Sequence, residues 1–242
     1  MHSSKLTARM EPFDSFWEGP ADINKGYGKF AAFYRNNYLS HMPVQKTARI
    51  LVVSCGPGYF VDLLRQDGYI QVTGIDSDAK KIQHALSRDL PCKVARAFEY
   101  LQETDELFDV IFCEQELNHL TKLEILEFLT LCKSRLEPGG RLVAHGLNGA
   151  NPITGAEALA QNFDHYNTFT EYTLRQALEY CGFSKIHIFP LNLYVFYKNP
   201  LNYVLIGAAG LLTLCFRALF IMYGKSNKIF TKKIAACAIN GQ

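Results

Sequence analysis

Residues 50–60 read ILVVSCGPGYF, an apolar run that ends in two glycines around a proline. A short apolar run of this kind predicts a buried strand over 49–54. Phe60, Val61, Leu63 and Leu64 follow at helical spacing, and the helix they define ends at Gly68. A buried strand that turns directly into a helix commits the chain to a sheet with helices packed on it. The alternation continues. A second strand over 70–75 closes on Asp76, and Asp78 caps a helix that runs to about 87. Short strands are expected at 92–95 and 108–113. Thr121 and Glu124 have capping-box spacing ahead of an apolar helix expected to reach Leu136, and a Pro-Gly-Gly turn at 137–140 leads into a strand at 141–147. Thr170 opens a further helix that stops at Gly182, and a strand follows at 185–189. Strands alternating with helices build a parallel sheet covered by helices.

The chain of 242 residues is long enough for one such domain with an appended element. Hydrophobic residues make up 48% and charged residues 20%, ordinary globular values that leave no room for a long disordered region. Every acidic residue lies at or before Glu179. From residue 198 onward there are six Lys or Arg and no acid, against 19 basic and 23 acidic residues before it. A net charge of +2 therefore conceals about −4 followed by +6. Nucleic acid or an anionic membrane surface would match the basic tail. The seven cysteines have neither metal-ligand nor disulfide spacing, which predicts buried, reduced thiols and a reducing compartment. The opening MHSSKLTARM has no apolar core, so a secretory signal is not expected.

A glycine-rich turn after the first strand, with an acid closing the second, is the arrangement that holds an adenosine ribose. Gly56 and Gly58 let backbone approach a ligand, the helix start at Tyr59 offers N–H groups to an anion, and Asp76 can accept both ribose hydroxyls. A third glycine is missing, which counts against a dinucleotide. A plain strand-to-helix turn is the bland alternative.

The ordered set ILVVSCGPGYF, VTGID at 72–76, FDVIFCEQELNHL at 108–120 and LEPGGRLV at 136–143 resembles the class I S-adenosylmethionine-dependent methyltransferases over about residues 10–197. The resemblance implies a Rossmann-like, doubly wound α/β fold. Its seven-stranded, mostly parallel sheet has an apolar C-terminal insertion before the last strand, which resumes near Ile229. It divides the chain into lid helices at 1–45, a core at 46–197, an insertion at 198–227 and the final strand at 228–242. By the same likeness Cys55, Gly56 and Gly58 would hold the methionine part of the cofactor and Asp76 its ribose. Ala97 and Phe98 would lie along the adenine, and Gln115 to His119 would face the sulfonium and acceptor. The stretches at 162–183 and 228–239 look like a bacterial subgroup associated with polysaccharide and lipid-linked glycan assembly, with His165 matching and Asn162 standing where relatives have an acid. Residues 13–30 resemble its N-terminal lid.

Several family carboxylates are replaced: Val52, Arg96, Gln115 and Asn118 stand where acids are usual, and Ser54 where glycine is. A cationic cofactor loses favourable charge interactions as a result, and Arg96 offers adenine no acceptor. Methyl transfer to an oxygen or nitrogen needs alignment, exclusion of water and, for a sugar hydroxyl, a base near neutral pKa. His119 and His165 are the candidate bases, with structural hydrogen bonding as the alternative role for each. No cluster has metal-ligand spacing.

Residues 201–223, LNYVLIGAAGLLTLCFRALFIMY, carry one charge, Arg217, and are long enough to span a bilayer. In the methyltransferase fold the strands on either side pair with each other, so both flanks lie on one side and a single span is not expected. Gly207 and Gly210 could bend the run into a hairpin or loosen a helix lying in the interface, with flanking lysines on anionic headgroups. A core or homodimer helix is the alternative. The expected protein is a methyltransferase on the cytoplasmic face of a membrane, such as the bacterial inner membrane, acting on a glycan or lipid-linked saccharide. An isoprenoid quinone precursor is the alternative acceptor. An inert partner in a glycan-assembly complex and a dinucleotide dehydrogenase are the competing classes. Nucleic acid is not expected as a partner, because the basic residues flank an apolar run.

Overall fold

The computed structural model describes residues 23–113, 116–160, 165–192 and 199–241. Helix α1 (Ile23–Tyr38) and a short 3-10 turn (Leu39–His41) lead to β1 (Arg49–Val53), α2 (Tyr59–Gln66), β2 (Gln71–Asp76), α3 (Ala79–Leu86), β3 (Cys92–Val94), α4 (Ala97–Glu103) and β4 (Phe108–Cys113). After a 3-10 turn (Glu116–His119) come α5 (Lys122–Ser134), β5 (Leu136–Leu147), α6 (Glu157–Ala160), α7 (Glu171–Tyr180), β6 (Phe183–Leu191), α8 (Pro200–Met222) and β7 (Lys233–Asn240).

The seven strands form one sheet in the order β3-β2-β1-β4-β5-β7-β6. Strands β1 to β5 pair in parallel, and β7 runs antiparallel between β5 and β6. Alternate residues of each central strand feed two cores. Ile50, Val52, Val110, Phe112 and Val143 face α1, α2 and α3, while Leu51, Val53, Ile111, Leu142 and Ala144 face α4, α5 and α7. A sheet buried on both faces needs strands that are apolar at every position, which explains the unbroken run at 50–53. It also explains Val52, which sits inside the first core beside Gly74 and Phe112 and away from solvent.

The capping residues act as expected. Asp78 accepts from the Lys80 and Lys81 N–H groups, and Thr121 and Glu124 form a reciprocal capping box. Several boundaries differ. Helix α5 stops at Ser134, two residues early, and β5 begins at Leu136, ahead of the Pro-Gly-Gly turn. That turn is absorbed as an irregularity in the pairing with β4 between Phe108 and Val110, because Leu136 still pairs with Phe108. The last strand starts at Lys233 and not near Ile229.

The apolar run is one uninterrupted helix, so of the two forms open to it, a hairpin bent at Gly207 and Gly210 or a single helix, it takes the helix. A Cβ at either glycine would meet nothing within 4 Å, so no neighbour forces a bend and the intrahelical ladder prevails. Nor is α8 a core helix of this chain, because no residue from 203 to 222 is buried. By length and composition it could cross a membrane.

Candidate active site

The strand β1 leaves the sheet through Ser54, Gly56 and Gly58, all with positive φ of 56°, 54° and 84°. At Gly58, which caps α2, the positive φ favours glycine, and an added Cβ would come within 2.9 Å of the Leu90 Cδ1 methyl, which would have to shift. Ser54, standing where the family has glycine, adopts the left-handed conformation regardless and lines the cleft. The turn is held from both sides. Cys55 N–H donates to the Ile75 carbonyl at 3.0 Å, and from α1 the Tyr27 hydroxyl donates to the Pro57 carbonyl. Burial pushes the Tyr27 phenol up to about 12, so it remains a donor throughout the physiological range. Tyr34 stacks on Phe60 at 5.0 Å and Tyr27 meets Tyr59 edge-on at 4.7 Å, fixing α1 against α2.

Asp76 closes β2 directly opposite the turn. One carboxylate oxygen accepts from Gly56 N–H and the other from Asp78 N–H, each at 2.8 Å. Burial raises the Asp76 pKa, and those two backbone donors oppose the shift. Each oxygen keeps a second lone pair for a ligand hydroxyl. Beside it lies a cleft of about 40 Å³ lined by Ser54, Ile75, Asp76, Ser77, Ala95 and Ala97. A larger cavity of about 350 Å³ opens between Pro43 and Arg141 at the N-terminal ends of β1 and β4. Ligands of open α/β sheets bind at the carboxyl ends of the strands, so the smaller cleft is the relevant one. Its chemistry suits the ribose of an adenosine, because the Asp76 carboxylate is pre-oriented by two backbone donors and the Gly56 backbone has no neighbour within 4 Å of a Cβ position.

Ala97 lines this cleft. Phe98 does not, because its ring turns to Phe128 on α5 at 5.6 Å. Arg96 points outward to Glu99 at 3.6 Å, with both side chains more than half exposed, so its guanidinium is not what the cleft presents. Gln115, Asn162 and residues 13–22 of the expected lid lie outside the described residues.

The other half of the site forms where β4 ends. Leu117 and Asn118 are fully buried, so within the expected acceptor-facing stretch 115–119 these two turn inward. Asn118 is a clamp. Its Oδ1 accepts from Leu147 N–H at 3.1 Å, its Nδ2 donates to the Asn167 carbonyl at 2.6 Å, and its own carbonyl accepts from Tyr166 N–H at 2.9 Å. Asn167 returns a hydrogen bond to the Leu120 carbonyl. These bonds fold the 165–169 segment onto the end of β4 and bring the two predicted bases together. The His119 and His165 rings meet edge to face with centroids 4.9 Å apart. His165 Nδ1 lies 2.7 Å from the Ala158 carbonyl, which can only accept, so the proton sits on Nδ1 and the basic lone pair of the neutral ring on Nε2. Sequence reasoning missed the clamp, since a single asparagine signals nothing until its partners are known. It likewise gave no context to His145, which is fully buried with Nδ1 2.5 Å from the Tyr38 hydroxyl.

A seven-stranded sheet with one reversed strand, a glycine turn and a closing acid defines a Rossmann-like methyltransferase fold. A crystal structure of an S-adenosylmethionine-dependent methyltransferase from Archaeoglobus fulgidus superposes with a TM-score of 0.65 at 19% identity, covering 88% of this chain and 94% of that one. The methyltransferase-domain family model matches residues 30–188, well over half of the chain, and the chain belongs to that family. It is similar to the mitochondrial ubiquinone biosynthesis O-methyltransferase of Mus musculus, 31% identical over 147 residues, covering 50% of this chain and 39% of that protein. It is also similar to the tRNA U34 carboxymethyltransferase of Hydrogenovibrio crunogenus, 25% identical over 204 residues, covering 78% of this chain and 61% of that protein. The chain thus spans between two fifths and three fifths of the length of these curated relatives. These two relatives act in quinone and tRNA modification, not in the glycan assembly that the sequence resemblance suggested.

Proposed function

We propose that this protein is an S-adenosylmethionine-dependent O-methyltransferase whose acceptor is the hydroxyl of a membrane-held isoprenoid quinone precursor. The observation that carries the reading is the His119–His165 pair at the end of β4, the strand beside β1 and its glycine turn. The turn at 55–58 and Asp76 would hold the cofactor's amino acid and ribose, with Ala97 along the base. Bound there, S-adenosylmethionine supplies a methyl group on a sulfonium that leaves as a neutral thioether. The protein's own task is to align the acceptor, exclude water and take one proton. His119 or His165 takes it from the acceptor hydroxyl, and the Ala158 carbonyl supports the charge that results on His165. A phenol, more acidic than a sugar hydroxyl, asks less of an imidazole base. The ubiquinone-pathway relative favours that acceptor. A lipid-linked saccharide is the second reading, favoured by the pattern at 162–183 around His165.

Calorimetric titration with S-adenosylhomocysteine, followed by transfer of labelled methyl groups to a polyprenylated catechol, a lipid-linked saccharide and bulk tRNA, tests this. Binding with labelling of the catechol supports the proposal. Labelling of the saccharide alone supports the second reading, and labelling of tRNA alone or no binding of the cofactor analogue overturns both.

A further inference from the structure

We propose that α8 lies in the plane of an anionic lipid leaflet and seats the carboxyl edge of the sheet, where the site opens, against that leaflet. Helix α8 leaves and re-enters the sheet at that edge, because Leu191, the end of β6, pairs with Lys233, the start of β7, and Lys233 pairs with Leu147 at the end of β5.

Both ends of the helix rest on protein. Near its N-terminus Asn202 is only 3% exposed. Beyond its C-terminus the Tyr172 hydroxyl bonds Ser226 at 2.6 Å, and Glu171 of α7 accepts from the Lys228 and Ile229 N–H groups. The segment that leads into β7 is also sewn to the site loop, where Asn148 Nδ2 donates to the Ile229 and Thr231 carbonyls and Asn151 Nδ2 to the Phe230 carbonyl. A helix of 23 residues is about 34 Å long, enough to cross the hydrocarbon layer, but one whose two ends both touch the same domain cannot place them on opposite sides.

Ile206, Thr213, Phe216 and Phe220 recur at helical spacing as the half-buried stripe of α8, and Phe216 and Phe220 meet Phe230. The opposite face presents Val204, Leu211, Leu214, Ile221 and Met222, each 61% to 78% exposed. An apolar face of that extent has no reason to stay in water. What covers it is indicated by charge. Lys225 and Lys228 are exposed just beyond the helix, and Glu171, the acid beside them, is engaged by the Lys228 and Ile229 N–H groups, so the charge at this end of the apolar face attracts anionic headgroups.

The full-length protein is floated on sucrose with vesicles of phosphatidylcholine alone and of phosphatidylcholine with phosphatidylglycerol. Wild type is expected to rise with the anionic vesicles. Leu211→Glu with Leu214→Glu should lower partitioning at least about tenfold, and Lys225→Gln with Lys228→Gln about fivefold per lysine. The leucines point to solvent, and an unchanged melting temperature shows that their variant folds. Wild type left unbound by both vesicles overturns the proposal, as does a leucine variant that floats like wild type, or a wild-type dimer without flotation that the leucine variant dissociates. Orientation is read from Asn199→Cys and Lys225→Cys in a Cys215→Ser background. Labelling of both by an impermeant maleimide from the same side of the membrane supports the in-plane helix, and labelling from opposite sides overturns it.

Discussion

The rings of His119 and His165, contributed by segments on either side of β5, meet edge to face with centroids 4.9 Å apart because Asn118 and Asn167 bind the two segments together. Replacing either histidine with asparagine is expected to lower kcat about a hundredfold, with S-adenosylhomocysteine affinity within twofold of wild type. The double variant should lose less than the product of the single losses, because touching groups act as a unit. Single-turnover kinetics beside calorimetry checks this, and a histidine variant with undiminished kcat would remove that residue from the reaction. An Asn118→Ala variant separates the clamp from the chemistry, since it should loosen the 165–169 segment and cost about 1 to 3 kcal/mol by orphaning the Leu147 N–H.

The two glycines of the turn should fail differently. Both have positive φ, but a methyl group on Gly56 enters open space beside the cleft while one on Gly58 strikes Leu90 at 2.9 Å. Gly56→Ala is expected to cost about 1 to 2 kcal/mol of stability from backbone strain and to weaken the cofactor analogue more than tenfold. Gly58→Ala should cost more stability, by about a further 1 kcal/mol or more of overpacking. Urea midpoints and calorimetry on both variants distinguish the two effects.

His145 predicts a dependence of stability on pH. Burial holds its pKa well below 6.5, with the positive charge of Lys233 acting in the same direction. The native ring stays neutral while the unfolded one binds a proton below 6.5, so stability falls as pH drops through that value, by up to about 1.4 kcal/mol per pH unit for one proton. His145→Gln, which can still partner the Tyr38 hydroxyl, lacks the titration. Its stability gap to wild type should therefore narrow from pH 7 to pH 5 in urea melts, and a constant gap would show that His145 charges inside the fold.

Arg96 stands where the family carries an acid, yet it reaches outward to Glu99. Arg96→Ala should change S-adenosylhomocysteine affinity less than twofold. A large gain on removing the guanidinium would show that it does reach the base.

Much of the fold was legible in the sequence. The run 50–53 is apolar at every position because β1 is covered on both faces, and Asp78, Thr121 and Thr170 mark helix starts because an orphan N–H needs a local acceptor. The turn at 55–58 and Asp76 were legible for the same reason, since both halves of that arrangement are short motifs. Phe98 was not placed by its motif, because whether its ring faces the cleft or Phe128 depends on how α4 packs against α5. The start of β5 at Leu136 was hidden by a turn signal that pairing with Phe108 overrides.

Local order along the chain determined the strand and helix alternation, the glycine turn, the acid that faces it and the existence of a long apolar segment, all of which depend on neighbours a few residues away. Tertiary structure alone decided that Asn118 would be a clamp and not a ligand, that His119 and His165 would touch, and that α8 would be uninterrupted with its apolar face outward. Those outcomes depend on hydrogen bonds and contacts between residues distant in the chain, whose partners no local pattern names.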